Sequence, residues 1–291
     1  MELRRTMLFI PGNNPGMLQN GGVFGADAVI LDLEDAVAPQ EKDAARLLVA
    51  QALRFVDYGA SETVVRINTL DTFGRQDIKT IVPCQPDALL VPKVQCAEDI
   101  HAVVAVVAAA ERPGQKPVKL IALIETPRGL AEAQAIAAAD ERVAALAFGA
   151  EDYTAAIGAQ RTKESQEILT ARMLLVNAAA AAGVQAIDTP YTDVNDESGL
   201  RQDAAFAKQL GFKGKLVINP RQIDVIHSVF NPSDREIGWA QRVIKAIRQA
   251  EAEGSGVASL DGKMVDAPIV SRAERILHLA RLLGLDKEVQ A

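Results

Sequence analysis

Eight short apolar runs, the amphipathic stretches between them and a length of 291 residues predict a (β/α)8 TIM barrel with a C-terminal helical extension. The runs are TMLFI (6–10), DAVILDL (27–33), TVVRI (63–67), DALLVP (87–92), KLIALI (119–124), AALAF (144–148), VQAID (184–188) and KLVIN (215–219). They are nearly continuous in apolar character, as parallel strands buried on both faces are. Between them lie helical patterns such as 41–55 and 165–183, the second ended by Gly183. The link 11–26 is short and glycine-rich, so its helix is expected to be weak. The rival architecture, an open doubly wound sheet, would want a glycine-rich phosphate turn after an early strand; GNNPG (12–16) is not GxGxxG.

After Asn219 the chain runs on with a helix start at Asn231-Pro232-Ser233, a helical pattern to Glu253, an irregular linker over 254–270 and a last helix over 271–283. We therefore expect a catalytic barrel over 1–230 and a helical lid over 231–291. The lid has little core of its own and is expected to pack on the barrel or on a neighbouring subunit.

Composition narrows the function. The net charge is −7, the aromatic content 4%, and no basic stripe is visible, which excludes nucleic acid as the expected partner. The apolar run near the N-terminus is broken by Pro11-Gly12, too early for a signal core, and no segment approaches the roughly 20 apolar residues of a membrane span. Cys84 and Cys96 form no CxxC motif. A cytoplasmic protein without a membrane partner is expected.

Barrel active sites lie at the C-terminal ends of the strands. The polar residues there are Glu34 and Asp35 after the second run, Arg66 and Asn68 on the third, Lys93 after the fourth, Glu125 after the fifth, Glu151 and Asp152 after the sixth, Asp188 on the seventh and Asn219 on the eighth. Such a convergence of acids holds a divalent cation or pairs internally. Oxygen donors without a histidine or thiolate set point to Mg²⁺ rather than zinc. Any single strand-end acid has a plainer reading as a helix cap: Thr126-Pro127 reads as a helix start beside Glu125, and Asp152 could cap the stretch after it. Arg66 inside an apolar strand needs a partner, for which Glu34 and Asp35 are the candidates. Lys93 raises a Schiff-base aldolase as a different class of enzyme, against a simple salt bridge to a mouth carboxylate. His101, His227 and His278 fall in helical stretches and read as packing or surface residues.

The segments RRTMLFIPGNN, ILDLEDAV, VVRIN, IALIETPRG, AFGAEDY, GLRQDAAFAKQLGFKGKLVINPRQID and DGKMVDAPIV together resemble the citrate lyase, malyl-CoA lyase and citramalyl-CoA lyase family, and its citrate lyase β-subunit branch in particular. Asn219 in INPRQ, where many CoA-dependent relatives carry histidine, points to that branch. The resemblance runs from about residue 4 to the last helix. It implies a (β/α)8 barrel that binds Mg²⁺ through Glu125 and Asp152, a substrate-binding Arg66, and a catalytic Asp266 on a tail that reaches a neighbouring subunit's site. It also implies a homo-oligomer (trimer or hexamer), a citryl thioester substrate, and partners in an acyl carrier protein and an α-subunit.

The implied reaction is retro-Claisen cleavage to oxaloacetate and an acetyl thioester. Backbone N–H groups near Pro11-Gly12 and at the helix following Glu125 are expected to help grip the substrate carboxylates. Glu34, Asp35 and Lys93 are expected to position Arg66 and the metal's surroundings. The base for the hydroxyl proton stays open among Glu34, Asp35 and a metal-bound water. The alternatives are a malyl-, citramalyl- or other 3-hydroxyacyl-CoA lyase or thioesterase on the same scaffold, the Lys93 Schiff-base aldolase, and a non-catalytic scaffold subunit.

Overall fold

The structure is a computed structural model that describes residues 2–252 and 254–285. Glu253, the expected end of one helix, and the last six residues of the expected extension, 286–291, lie outside the described residues. Internal packing divides the chain into two compact units, Met1–His227 and Ser228–Ala291. The division falls at 227 rather than at the expected 230, inside the helix Ile223–Phe230.

The first unit is a closed barrel of eight parallel strands in chain order. They are β1 (Thr6–Pro11), β2 (Ala28–Asp32), β3 (Glu62–Arg66), β4 (Ala88–Val91), β5 (Lys119–Ile124), β6 (Val143–Phe148), β7 (Gln185–Asp188) and β8 (Gly214–Val217). Each forms at an expected run, with ends moved by no more than two residues. The helices are α1 (Pro15–Asn20), α2 (Lys42–Phe55), α3 (Gly74–Ile81), α4 (Ala97–Ala110), α5 (Pro127–Ala131), α6 (Ala133–Ala137), α7 (Ala150–Ile157), α8 (Leu169–Ala182), α9 (Glu197–Leu210), α10 (Ile223–Phe230), α11 (Asp234–Ala252) and α12 (Ala267–Leu282). The link after β1 holds only the six-residue α1 and one 3-10 turn, as its glycines suggested.

The barrel interior shows why the site sits where it does. Its core is built from Met7, Ala28, Ile30, Val64, Ala88, Leu90, Ile121, Leu123, Ala145, Ala147, Ile187 and Leu216, all buried. Side chains alternate along a strand, so this list fixes which parity faces inward. Continuing each row by two residues toward the C-terminal end reaches Asp32 on β2, Arg66 on β3 and Glu125 after β5. The three polar groups are thus the top layer of the same inward-facing column.

The second unit packs α11 against α12 around Ile237, Ala240, Val243, Val265, Ala273, Leu277 and Ala280. Ser233 and Glu236 exchange hydrogen bonds in a capping box at the start of α11. The guanidinium of Arg272 lies 5.2 Å from the Trp239 ring centre. The unit is not purely helical, and this corrects the expected linker: 254–270 contains an antiparallel hairpin of β9 (Ala258–Leu260) and β10 (Lys263–Val265), and α12 begins at Ala267. The hairpin strands are three residues each, too short for an alternation to be legible. No helix among the described residues is long and apolar enough to cross a membrane.

Candidate active site

The loop after β2 and the strand β3 carry the most tightly bonded part of the site. Arg66 donates through Nε to Asp32 Oδ1 (2.7 Å) and through Nη2 to Asp32 Oδ2 (2.5 Å), a two-pronged pair with both side chains buried. Asp32 and Arg66 are register partners in the sheet, which places them side by side. Asp32 also accepts the N–H groups of Glu34 (2.8 Å) and Ala36 (3.2 Å), so one carboxylate orders both the arginine and the loop. The third guanidinium nitrogen, Nη1, faces Glu34 (3.1 Å) and Asp35 (3.5 Å). Phe9 lies under the guanidinium at 4.9 Å. Burial works against the Arg66 charge, but the Asp32 bonds outweigh it and raise its pKa further.

Sequence reasoning expected Glu34 and Asp35 as the partners of Arg66 and missed Asp32. Asp32 shares the inward parity of Ala28 and Ile30 and stands one strand over from Arg66, a placement visible only once the inward face and the register are known. Lys42 and Asn68 fasten the loop behind it, with Lys42 Nζ donating to the carbonyls of Leu33 (2.7 Å) and Glu34 (2.6 Å) and Asn68 Nδ2 to Leu33 (2.9 Å).

Lys93 links this cluster to Glu125. Its backbone N–H donates to Glu125 Oε1 (2.7 Å) and its Nζ to Glu34 Oε1 (2.8 Å). Its φ of 54° is in the left-handed region, uncommon for a side chain of this size, and that turn is what aims the N–H at the carboxylate. The hydrogen bond to Glu34 raises the Lys93 pKa despite partial burial, so the amine stays protonated. The salt-bridge reading of Lys93 describes this geometry.

Glu125 is 4% exposed. Burial, and then the negative charges of Asp152 and Glu34, push its carboxyl up to about 8 against the Lys93 N–H. Gly149 makes room for it: a Cβ there would lie 2.7 Å from Glu125 Oε2. Glu125 caps no helix. Thr126 does that, accepting from Gly129 N (3.0 Å) ahead of Pro127 at the start of α5. Asp152 is exposed in the first turn of α7, inside the helix rather than at its cap, which is Gly149.

Two acidic groups whose charges oppose each other, one of them buried, fit a hard divalent cation between them. Among the described residues no group of three or more His, Cys, Asp and Glu side chains is arranged for a metal. Two carboxylates, with water and substrate completing the shell, are a pattern that suits Mg²⁺.

Two expectations change. The Gly12 N–H is not free for substrate, because it donates to the carbonyl of Asp32 (2.8 Å). A Cβ on Gly12 would also meet that carbonyl at 2.5 Å, so the glycine serves close packing of β1 on β2; Pro11 has no N–H at all. Asp188 does not belong to the mouth. Its parity points outward, where it pairs with Arg172 of α8 (2.6 Å) and with Lys215 of β8, and both cations also reach Asp203 of α9 (2.7 and 2.6 Å). Asp266 belongs to the second unit, where it caps α12 by accepting from Ile269 N (3.4 Å).

Residues 5–220 match the family model described as HpcH/HpaI aldolase/citrate lyase. The chain belongs to the HpcH/HpaI aldolase/citrate lyase family. It is similar to the citrate lyase subunit beta of Leuconostoc mesenteroides subsp. cremoris, 48% identical over 283 residues that span 96% of this chain and 94% of that one. It is also similar to the citrate lyase subunit beta of Haemophilus influenzae, 46% identical over 286 residues that span 97% and 98% of the two chains. A solved structure of CitE from Mycobacterium tuberculosis, in complex with magnesium, acetoacetate and coenzyme A, matches with a TM-score of 0.78 and 32% identity, covering 96% of this chain and 98% of that one. The family match ends at residue 220, just after β8, and so covers the barrel strands.

Proposed function

We propose that this protein is a Mg²⁺-dependent carbon–carbon lyase that cleaves a citryl thioester to oxaloacetate and an acetyl thioester. The observation that carries the reading is the chain of contacts from Asp32 through Arg66, Glu34 and Lys93 to Glu125 at the C-terminal end of the barrel. Similarity to citrate lyase β-subunits along nearly the full length supports the citryl group over malyl or citramalyl groups.

Glu125 and Asp152 would hold the cation, which when bound supplies Lewis-acid activation of the substrate's alcohol. Arg66, fixed by two bonds to Asp32, would stabilise the oxygen on which charge develops as the C–C bond breaks. Glu34 and Lys93 hold Arg66 and Glu125 at a constant separation. The leaving carbon becomes a thioester enolate, and Asp266, contributed by a neighbouring copy of the chain, returns a proton to it. An acyl carrier protein would deliver the citryl group and an α-subunit would load it, with the chain acting as a homo-oligomer in the cytoplasm. The Schiff-base route is disfavoured because Glu34 keeps the Lys93 amine charged.

Purified protein given citryl-CoA is expected to release oxaloacetate, read as NADH loss with malate dehydrogenase. EDTA should stop the release and added Mg²⁺ should restore it. Turnover that persists in EDTA, or trapping of substrate by borohydride, would overturn the assignment.

The tail is tested separately. Asp266→Asn is expected to lower turnover by about a hundredfold to ten-thousandfold. Asparagine caps helices as well as aspartate does, so thermal melting should not change. Near-normal turnover would remove Asp266 from the reaction.

A further inference from the structure

Beside the Asp32–Glu125 chain of contacts, between the loops after β3, β4 and β5, lies a cleft of about 740 Å³. Lys93 belongs to both. Its N–H and amine serve the site, and its side chain lines the cleft. The cleft also contains two arginines, Arg75 in the first turn of α3 and Arg128 in α5, three residues after Glu125. Among the described residues neither guanidinium lies in a hydrogen bond or an ion pair, and Arg128 feels only the charge of Glu98, exposed on α4, whereas other arginines of the barrel are spent in buried pairs. The acids of the cleft do not answer them: Asp99 accepts the N–H groups of Gln95 and Cys96 (2.8 and 3.2 Å), and Asp71 bonds the Thr69 side chain.

The substrate offers one group that such a pair would select. In malyl, citramalyl and citryl thioesters alike, a hydroxyl and a neighbouring carboxylate stand on the carbon that becomes the keto carbon. The third substituent differs: hydrogen in malyl, methyl in citramalyl and carboxymethyl in citryl. Only the citryl group carries a second free carboxylate, and that carboxylate needs a cation that is not already paired. Arg66 and Lys93 are engaged with Asp32 and Glu34.

We infer that Arg128 and Arg75 bind the carboxymethyl carboxylate of the citryl group, and so set the preference for a substrate that releases oxaloacetate rather than pyruvate or glyoxylate. The inference rests on the lyase reading above and names the specificity residues within it. Both side chains are exposed and attached to short or terminal turns, so neutral substitutions leave the core untouched.

The test is product binding, which needs no turnover. With the full chain in Mg²⁺, calorimetry measures oxaloacetate and pyruvate separately against wild type, Arg128→Gln, Arg75→Gln and Arg128→Lys. Each Gln variant is expected to weaken oxaloacetate by about tenfold to a hundredfold, the scale of one charge-assisted hydrogen bond. Pyruvate should bind unchanged, and Arg128→Lys should recover part of the oxaloacetate affinity. Equal weakening of both ligands, or no weakening of oxaloacetate, would overturn the inference. The lyase reading fails differently: wild-type protein would cleave citramalyl-CoA and leave citryl-CoA intact, whatever the binding pair shows.

Discussion

An Arg66→Lys variant is expected to lose about a hundredfold to a thousandfold in kcat/KM for thioester cleavage while staying folded. The guanidinium spends two nitrogens on Asp32 and turns the third toward Glu34 and Asp35 at the end of the barrel. A lysine amine keeps the charge but has no planar fork. It can satisfy Asp32 or reach the substrate, and not both in the same geometry. Removing the charge has a different outcome. Arg66→Met leaves Asp32, 1% exposed, without its partner, and breaking a buried pair in this way costs about 3–5 kcal/mol. Steady-state kinetics with thermal melting separates the two variants. A Lys variant with wild-type kcat/KM would remove the fork from the mechanism.

The second large effect is on stability. Arg172, Lys215 and Asp188 are fully buried, and with Asp203 they form a balanced set of two cations and two carboxylates between β7, β8, α8 and α9. Asp188→Asn leaves two buried cations facing one carboxylate. The loss expected is about 3–5 kcal/mol, a drop in melting temperature on the order of 10 °C for a chain of this size. Removing Arg172 as well, in Arg172→Met with Asp188→Asn, leaves Lys215 paired to Asp203. The double variant should therefore be more stable than the sum of the single losses implies, which a double-mutant cycle by calorimetry or urea unfolding measures. Additive losses would show that the four groups do not act as one network.

The eight strands were legible because strands of a parallel barrel are apolar on both faces and stand out as runs. The caps at Thr126, Gly183 and Ser233 were legible because capping depends on the residue type and its immediate neighbours. The hairpin over 258–265 was not, since two three-residue strands show no period. The turn at Lys93 was hidden too: a left-handed lysine is held by Glu34 and Glu125, distant in sequence, and nothing local announces it.

By itself the sequence determined the barrel, the order of its strands and the acids and bases that end them. The direction in which each of those polar groups points was decided only by the tertiary structure. Asp32 and Asp188 look alike in sequence, each an acid at the end of an apolar strand. One faces the barrel interior and holds Arg66; the other faces the helices and holds Arg172 and Lys215. In a strand buried on both faces the apolar residues have no polar alternation to mark the inner side, and one step in register exchanges the two faces. Closure of the barrel fixes that register, and with it which acids can meet a substrate.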